Sequence, residues 1–248
     1  MSTALSRWKR PFKKGKVLRA LIEYPRYIRD IIKYRAMVST EKIRLADTYP
    51  CLFDRTSNTR IDSHYFYQHI WAFKRIRRLN PKLHVDIGSN VNFVGLLTAI
   101  TKVHFVDIRP LEASNVANLK SIKGSILDLP YDDNSLESVS CLHVAEHIGL
   151  GRYGDELDPE GTKKAAAELS RCLAKGGNLF FSVPVGEPRL CFNAHRIHSP
   201  RQVLDLFSKL RLIELSGSDK KNGFIENINI DILSNSKYAC GMFWFIKE

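Results

Sequence analysis

Residues 83–90 read Leu-His-Val-Asp-Ile-Gly-Ser-Asn, and the fold follows from this short segment. Its first five residues form an apolar run typical of a buried strand. Gly88 then permits a tight turn in which the backbone can approach a ligand closely. Residues 91–100 have the pattern of a helix, whose N-terminus offers free N–H groups behind that turn. The segment therefore predicts a strand, a glycine turn and a helix, with a ligand site at the carboxyl end of the strand.

Strands and helices alternate from this point to the C-terminus. Apolar runs predict strands at 83–87, 103–107, 121–126, 136–142, 178–183, 211–216 and 239–246, and helical patterns occupy 91–100, 159–174 and 199–210. Another helix is expected from Asp62, as its N-cap, to Leu79, with Asn80-Pro81 as its stop. This alternation predicts an α/β fold: a Rossmann-like, seven-stranded, mostly parallel sheet with helices on both faces.

The N-terminal part of the chain differs from this body in charge. Residues 1–44 contain 13 Lys/Arg and 3 Asp/Glu, whereas the rest contains 25 and 23, so most of the net charge of +12 lies in the first part. Apolar residues recur at helical spacing between Val17 and Val38, and Pro25 should end one helix or begin the next. We expect a basic helical arm with a connector, 1–61, and an α/β domain, 62–248.

The sequence of the basic arm does not decide what the arm binds. Packing on the domain and binding to an anionic membrane surface through residues 1–44 predict the same amphipathic pattern, and each basic residue at such a surface contributes about 1 kcal/mol. A nucleic-acid partner is not expected, because the body shows no basic patch.

The sequence also predicts the cellular compartment. No apolar run approaches the roughly 20 residues of a spanning helix, and the N-terminus lacks the apolar core of a signal peptide. The 5 cysteines are dispersed and odd in number, which is typical of reduced thiols. We expect a cytoplasmic protein, either free or on the inner face of the cytoplasmic membrane.

Acidic residues follow the next two strands. Asp107 ends the second strand, 19 positions after Gly88, where an acid can accept hydrogen bonds from ribose hydroxyls. Asp128 follows the third strand, where it could accept from an adenine amino group. Asn90 and Phe93 occupy the second and third glycine positions of a dinucleotide motif. The pattern therefore favours a ligand that has ribose and adenine but no phosphate.

Several segments together resemble class I S-adenosylmethionine-dependent methyltransferases. They are residues 85–90, Asp107, residues 124–130, 138–148 and 173–179. The resemblance implies S-adenosylmethionine as cofactor, bound by Asp86, Gly88, Ser89, Asp107, Asp128, Leu129 and His143. Residues 146–155 and 192–196 are also similar to a small bacterial subfamily that accompanies surface-polysaccharide biosynthesis, which implies a sugar or glycan acceptor.

Methyl transfer to a hydroxyl usually needs a base, and histidine is the side chain that titrates near neutral pH. The candidate catalytic residues are His147, His195 and Glu146. The candidate acceptor-binding residues are Arg152, Tyr153, Asp155 and Arg196. A metal site formed by His147, Asp155, His195 and His198 has no supporting spacing motif, so we expect no divalent metal.

The absence of two motifs narrows the chemical class of the methyl acceptor. No Asn/Asp-Pro-Pro-Tyr/Phe run and no Pro-Cys pair follows the fourth strand, so oxygen methylation is favoured over methylation of a nucleobase. The predicted function is an O-methyltransferase acting on a sugar or lipid-linked glycan. Two alternatives remain: a non-catalytic scaffold protein, suggested by Asn90 in the cofactor turn, and an RNA methyltransferase that uses residues 1–44 as a clamp. The sequence does not predict the oligomeric state.

Overall fold

The computed structural model describes residues 4–12, 15–37, 40–113 and 115–248. The chain forms two compact units, Met1–Arg60 and Ile61–Glu248. Within the described ranges, no helix has both the length and the apolar character needed to cross a membrane.

The first unit consists of short helical elements. They are α1 (Ala4–Lys9), a 3-10 turn (Arg10–Phe12), α2 (Val17–Met37) and a second 3-10 turn (Leu45–Asp47). Val38, the last residue of the predicted helical span, lies outside the described residues.

Helix α2 continues through Pro25, so the predicted break at this residue is wrong. A proline removes one backbone hydrogen bond from a helix. Ring packing beside it supports the helix, because Tyr24 stacks on Trp8 and on Phe12 at centroid distances of 5.6 and 5.2 Å.

The second unit is built on ten strands. They are β1 (Leu83–Ile87), β2 (Lys102–Asp107), β3 (Leu119–Lys123), β4 (Leu136–Leu142), β5 (Leu173–Val185), β6 (Arg189–Cys191), β7 (His195–Ile197), β8 (Leu210–Asp219), β9 (Gly223–Ile225) and β10 (Ala239–Lys247). Eight of them form one sheet in the order β3-β2-β1-β4-β5-β10-β8-β9, and β6 pairs with β7 in a separate hairpin. The first five strands in this order, β3, β2, β1, β4 and β5, are parallel to one another. Strand β10 runs antiparallel to both of its neighbours, β5 and β8.

The sheet thus has eight strands rather than the predicted seven. The additional strand, β9, is three residues long and pairs only with the end of β8, so it carries too little pattern to be recognised in the sequence. The third strand also begins and ends earlier than predicted, because residues 125–128 form a turn closed by a bridge between Ser125 and Asp128.

Five helices accompany the sheet: α3 (Ser63–Leu79), α4 (Val91–Leu97), α5 (Gly161–Cys172), α6 (Pro200–Leu206) and α7 (Ile230–Ser234). Two hydrophobic clusters contain their buried side chains, one with α3 and α4 and the other with α5, α6 and α7. Side chains alternate between these clusters along a strand: Met242 of β10 belongs to the first and Phe243 to the second. Helices therefore cover both faces of the sheet, as predicted.

Helix α3 begins and ends as the sequence predicts. The Asp62 side chain accepts hydrogen bonds from the backbone N–H groups of His64 and Tyr65, and Asn80 ends the helix in a left-handed conformation. A partly buried ion pair joins the middle of the helix to β8, since the Arg75 guanidinium lies 2.6 Å from a carboxylate oxygen of Glu214. The helix is thereby held so that its N-terminus reaches the carboxyl end of β4.

Candidate active site

The turn after β1 brings the backbone close to its neighbours. Gly88 has a φ of +65°, and a Cβ atom there would lie 3.1 Å from Val144 Cγ1 and 3.4 Å from Asp107 Oδ2. A larger residue would therefore fill the space beside Asp107. Asn90, which departs from the dinucleotide glycine motif, is the N-cap of α4, and its side chain accepts from the Asn92 N–H at 2.9 Å. Its role in the turn is thus to begin the helix.

Two residues that were predicted to bind the cofactor stabilise this turn by buried hydrogen bonds. Asp86 is fully buried; one of its carboxylate oxygens accepts from the Ser89 N–H at 3.0 Å and the other from the Ser140 hydroxyl. The Ser89 hydroxyl in turn accepts from the Leu142 N–H at 3.0 Å. Neither Asp86 nor Ser89 lines the cavity at this edge of the sheet; their hydrogen bonds support the turn, and their predicted role in cofactor binding stays a prediction.

Burial of Asp86 makes a prediction about stability. Desolvation raises the pKa of its carboxyl to about 6, against the opposing effect of hydrogen bonds from Ser140 and Ser89. The folded state therefore keeps this proton to a higher pH than the unfolded chain, and the stabilisation it gives below about pH 4 is lost as the pH rises through about 6. Asparagine can hydrogen-bond to both serines and does not titrate. Urea unfolding between pH 4 and 7 should therefore show a decline in the free energy of unfolding for the wild type relative to Asp86→Asn; parallel curves would contradict this.

A cavity opens at the carboxyl ends of β1, β2 and β4. Of the predicted site residues it is lined by Gly88, Asp107, His143, His147, Tyr153 and Asp155, together with residues 124–127. Asp128 and Leu129 do not line it. Asp128 is exposed, and Leu129 is buried in the core with its N–H donated to Glu168 at 2.8 Å.

Residues 149–158, called here the site loop, form one wall of this cavity. The Asp158 N–H donates to the Gly149 carbonyl at 3.0 Å and closes the loop at its base. Inside it, the Asp155 carboxylate accepts from the N–H groups of Gly149 and Tyr153 at 2.6 and 3.2 Å. Burial opposes ionisation of Asp155, but these backbone hydrogen bonds outweigh it and lower the pKa of the carboxyl. Asp155 thus organises the loop.

Tyr153, near the tip of the site loop, lies between two guanidinium groups. Arg109, which follows β2, is 4.4 Å from the centre of its ring and Arg152 is 5.0 Å away. The Arg109 N–H also donates to the Asp107 carboxylate at 2.7 Å. A cation over an aromatic face is attracted to it, so the loop tip is held against the end of β2, beside the carboxylate predicted to bind ribose.

A second cavity adjoins the first and shares His143, His147 and Tyr153 with it. Histidine, tyrosine and charged side chains make up most of its lining. Besides the three shared residues, they are His64, His195, Tyr65, Tyr238, Glu146, Arg152 and Lys220. The predicted residues Glu146, His147, Arg152, Tyr153 and His195 therefore come together here, next to the first cavity. The two cavities thus meet at one set of shared side chains.

His147 stands between the two cavities with a defined orientation. Its Nδ1 lies 2.6 Å from the Ala194 carbonyl oxygen. A carbonyl can only accept a hydrogen bond, so Nδ1 carries a proton, and the neutral form of the ring has its lone pair at Nε2. His195 lines the second cavity alone, 6.5 Å from His147 between ring centroids, and burial lowers its pKa.

Glu146 is buried between two imidazoles. Its Oε1 lies 2.7 Å from His143 Nδ1 and 3.7 Å from His147 Nε2. Burial favours the neutral acid, but the two histidines outweigh it and lower the pKa of Glu146. Burial likewise opposes protonation of His143, whereas Cys240 and Glu146 beside the ring raise its pKa. The pair therefore carries a buried negative and a buried positive charge.

Arg196 does not reach either cavity. Its guanidinium donates to the carbonyl oxygens of Ile148 and Asp158, at 2.5 and 3.1 Å. It thus stabilises the base of the site loop, and its predicted role in acceptor binding stays a prediction.

The sequence did not predict that the N-terminus of α3 and the start of β10 contribute to the site. His64 stacks on His143 at 5.6 Å and on Tyr238 at 4.9 Å between ring centroids. Burial and the neighbouring His143 lower the pKa of His64 to about 4, so its ring is neutral. The predicted N-cap at Asp62 located the helix start, but no local signal indicated what it faces.

Comparison with known proteins places the chain in a family. Residues 92–237, more than half of the sequence, match the family described as Caenorhabditis protein of unknown function, DUF268. The chain belongs to the DUF268 family. None of the curated proteins compared with this DUF268 chain matches it. The predicted link to a polysaccharide-associated subfamily stays a prediction.

Solved structures similar to the DUF268 chain share its fold. The N-methyltransferase NodS from Bradyrhizobium japonicum WM9, in complex with S-adenosyl-l-homocysteine, has a TM-score of 0.52 and 14% identity over 80% of this chain and 91% of that one. Geranyl diphosphate methyltransferase in complex with SAM has a TM-score of 0.53 and 14% identity over 73% and 85%. The [4+2]-cyclase SpnF has a TM-score of 0.51 and 12% identity over 70% and 80%. At such identities the likeness establishes a methyltransferase-type fold, which also occurs in a cyclase.

Proposed function

We propose that the protein is an S-adenosylmethionine-dependent methyltransferase. The observation that supports this most is the pair of adjoining cavities that share His143, His147 and Tyr153. A methyl group can pass directly between two ligands only if their reacting atoms approach to roughly 3 Å. Two cavities with a common wall of side chains provide that proximity.

The first cavity is the proposed cofactor site. Gly88 leaves open a space that a Cβ would fill, so the backbone can approach the methionine part. The Asp107 carboxylate, at the end of β2, is placed to accept hydrogen bonds from ribose hydroxyls. Two of the structures with this fold contain SAM or S-adenosyl-l-homocysteine. The cofactor, when bound, would supply an activated methyl group on sulfonium.

The second cavity would hold the acceptor, for which we propose a hydroxyl of a sugar or lipid-linked glycan. Its lining combines aromatic rings, as in Tyr65 and Tyr238, with the charged groups of Arg152 and Lys220. Such groups can bind the apolar and hydroxyl-bearing surfaces of a sugar.

The acceptor's oxygen must lose a proton during transfer, and the neutral Nε2 of His147 is the proposed base. His147 lines both cavities, so its ring lies where the two ligands would meet. The Ala194 carbonyl fixes the ring in the tautomer that accepts at Nε2. Glu146, 3.7 Å from that nitrogen, would stabilise the imidazolium that forms.

A membrane-surface role for the first unit is part of the same proposal. Five apolar side chains of α2 are more than half exposed: Leu18, Leu21, Ile22, Ile32 and Met37. Together with the basic residues of 1–44, they have the character of a helix that lies on an anionic membrane. A lipid-linked acceptor would be found at such a surface.

Cofactor binding tests the proposed function first. Asp107→Ala removes hydrogen bonds to a charged acceptor, which contribute about 1.5–3 kcal/mol, so we expect the affinity for S-adenosylmethionine to fall by about 10- to 100-fold. Calorimetric titration of the purified full chain measures this. The matched control is Asp205→Ala, which removes an exposed carboxylate of α6 and should bind like the wild type.

The same titration distinguishes the alternatives. Binding by the wild type and its loss in Asp107→Ala would justify a screen of nucleotide sugars and lipid-linked glycans as acceptors. A folded wild-type protein that binds neither S-adenosylmethionine nor S-adenosylhomocysteine would overturn the methyltransferase and favour the scaffold. Methylation of RNA, together with RNA binding that falls steeply with salt, would instead support the RNA methyltransferase.

A further inference from the structure

Three potential metal ligands meet beside the second cavity, and two of them, His64 and His143, line it. They come from separate elements: His64 from the first turn of α3, His143 from the loop after β4, and Cys240 from β10. One ligand atom from each, a ring nitrogen or the thiol sulfur, lies within 4.8 Å of the other two. Imidazole and thiolate are the ligand types that Zn²⁺ prefers.

His143 has the geometry of a metal ligand supported by an outer partner. Its Nδ1 is 2.7 Å from Glu146 Oε1, which leaves Nε2 as the atom that can bind. Nε2 is buried, and the described residues offer it no hydrogen-bond partner. Histidine ligands commonly donate their other ring N–H to a carboxylate, which orients the ring and increases its basicity. Glu146 and His143 form this arrangement.

The backbone of His143 indicates that its position is imposed by the surroundings. Its φ is +56°, in the left-handed region that non-glycine residues rarely adopt. Such conformations cost of order 1 kcal/mol or more and are found where the surrounding structure specifies them. Here the conformation places the ring between Glu146 and Cys240.

Charge also favours a cation at this place. Glu146 is 1% exposed and Cys240 is fully buried. A divalent metal would replace the positive charge of the His143 imidazolium and balance the Glu146 carboxylate and a Cys240 thiolate; binding would release the His143 Nε2 proton and the Cys240 thiol proton to water. The thiol has weak partners in the structure, with the Gln68 side-chain oxygen at 3.9 Å, so little is lost when it turns to a metal.

We propose that His64, His143 and Cys240 bind Zn²⁺, with the fourth coordination position open to the second cavity. Three protein ligands and one open position are typical of catalytic rather than structural zinc sites. Bond lengths of roughly 2.0–2.3 Å require the ligand atoms to approach by about 1 Å. His64 is half-buried at the start of its helix, so rotation of its side chain can supply this movement. These residues differ from the four weighed as a metal site in the sequence, and the expectation of no divalent metal is replaced here.

The open position gives the metal a role, which rests on the proposed methyl transfer. An acceptor hydroxyl bound there would be polarised and would lose its proton to His147 more readily. Metal binding itself does not depend on that activity and can be measured without it.

The experiment uses Co²⁺ as a spectroscopic substitute for Zn²⁺ in the purified, chelator-treated full chain. We expect visible bands of tetrahedral Co²⁺ and a near-ultraviolet sulfur-to-cobalt charge-transfer band, both abolished by Zn²⁺. Cys240→Ala should lose the charge-transfer band, and His64→Ala and Glu146→Gln should weaken binding at least about tenfold. Cys172→Ala and His104→Ala are matched controls at residues outside the cluster and should bind like the wild type.

Several outcomes would overturn the metal site. One is a folded wild-type chain that gives no tetrahedral bands at millimolar Co²⁺. Another is a Cys240→Ala protein, folded by circular dichroism, that keeps the charge-transfer band. Since His64 is half-buried, its alanine variant should fold even if Cys240→Ala does not, and unchanged affinity there would also count against the site. Cofactor binding is measured separately, with Asp107→Ala and its control Asp205→Ala. The result for the metal site therefore does not decide the result for the methyltransferase, and each proposal can be overturned without the other.

Discussion

His147→Ala should lower kcat for methyl transfer by about 10²- to 10⁴-fold, the usual contribution of a positioned general base. The imidazole is held by the Ala194 carbonyl with Nε2 free, between the cavity for the cofactor and the cavity for the acceptor. Without it, the acceptor hydroxyl has to lose its proton to water. The measurement is initial velocity at saturating cofactor and acceptor, once an acceptor is known from the screen.

Two further variants make this result specific. His104→Ala removes an imidazole that bonds to Tyr131 at 3.0 Å on β2, outside both cavities, and should keep the wild-type kcat. His195→Ala tests the other predicted base, which lines only the acceptor cavity, and should change KM more than kcat. Full turnover by a double variant lacking His147 and His195 would show that neither histidine is the base. Rescue of His147→Ala by added imidazole would support the assignment.

The parts of the fold that sequence reasoning obtained are those specified by neighbouring residues. β1 and β4 have their predicted limits, because each is an apolar run bounded by turn residues. The start of α3 was found because Asp62 is a capping residue, a signal contained in two or three positions. Gly88 and Asp107 meet for a related reason: each follows a parallel strand, and parallel strands end at the same edge of the sheet.

The features that the sequence did not predict are contacts between residues that are far apart in the chain. His64 and Cys240 stand near opposite ends of the second unit and become neighbours only through the contacts of α3 and β10 with the sheet. The sequence also did not predict that the Arg196 guanidinium donates to the carbonyl groups at the base of the site loop, which lie 48 and 38 residues away in the chain. The predicted helix break at Pro25 was wrong for the same reason. Aromatic packing in the first unit outweighs the low helix propensity of this proline.

Gly149→Ala should destabilise the protein by about 2–5 kcal/mol, since it combines two costs at the base of the site loop. Gly149 has a φ of +78°, which costs an alanine about 1–2 kcal/mol. Its Cβ would also lie 2.0 Å from the Asp158 carbonyl oxygen, far inside contact distance, and the resulting overpacking adds typically 1–3 kcal/mol. Urea unfolding of the full chain, followed by circular dichroism, measures the change.

Gly154 supplies the matched control within the same loop. It has a φ of +86°, but a Cβ there would meet nothing within 4 Å, so Gly154→Ala should cost only the backbone term of about 1–2 kcal/mol. The difference between the two variants isolates the contact with Asp158. Equal destabilisation would mean that the loop moves away without resistance, and then Asp155 and Tyr153 would not be held at the cavity wall. A larger loss at Gly149 would show that a rigid loop base sets the position of both residues.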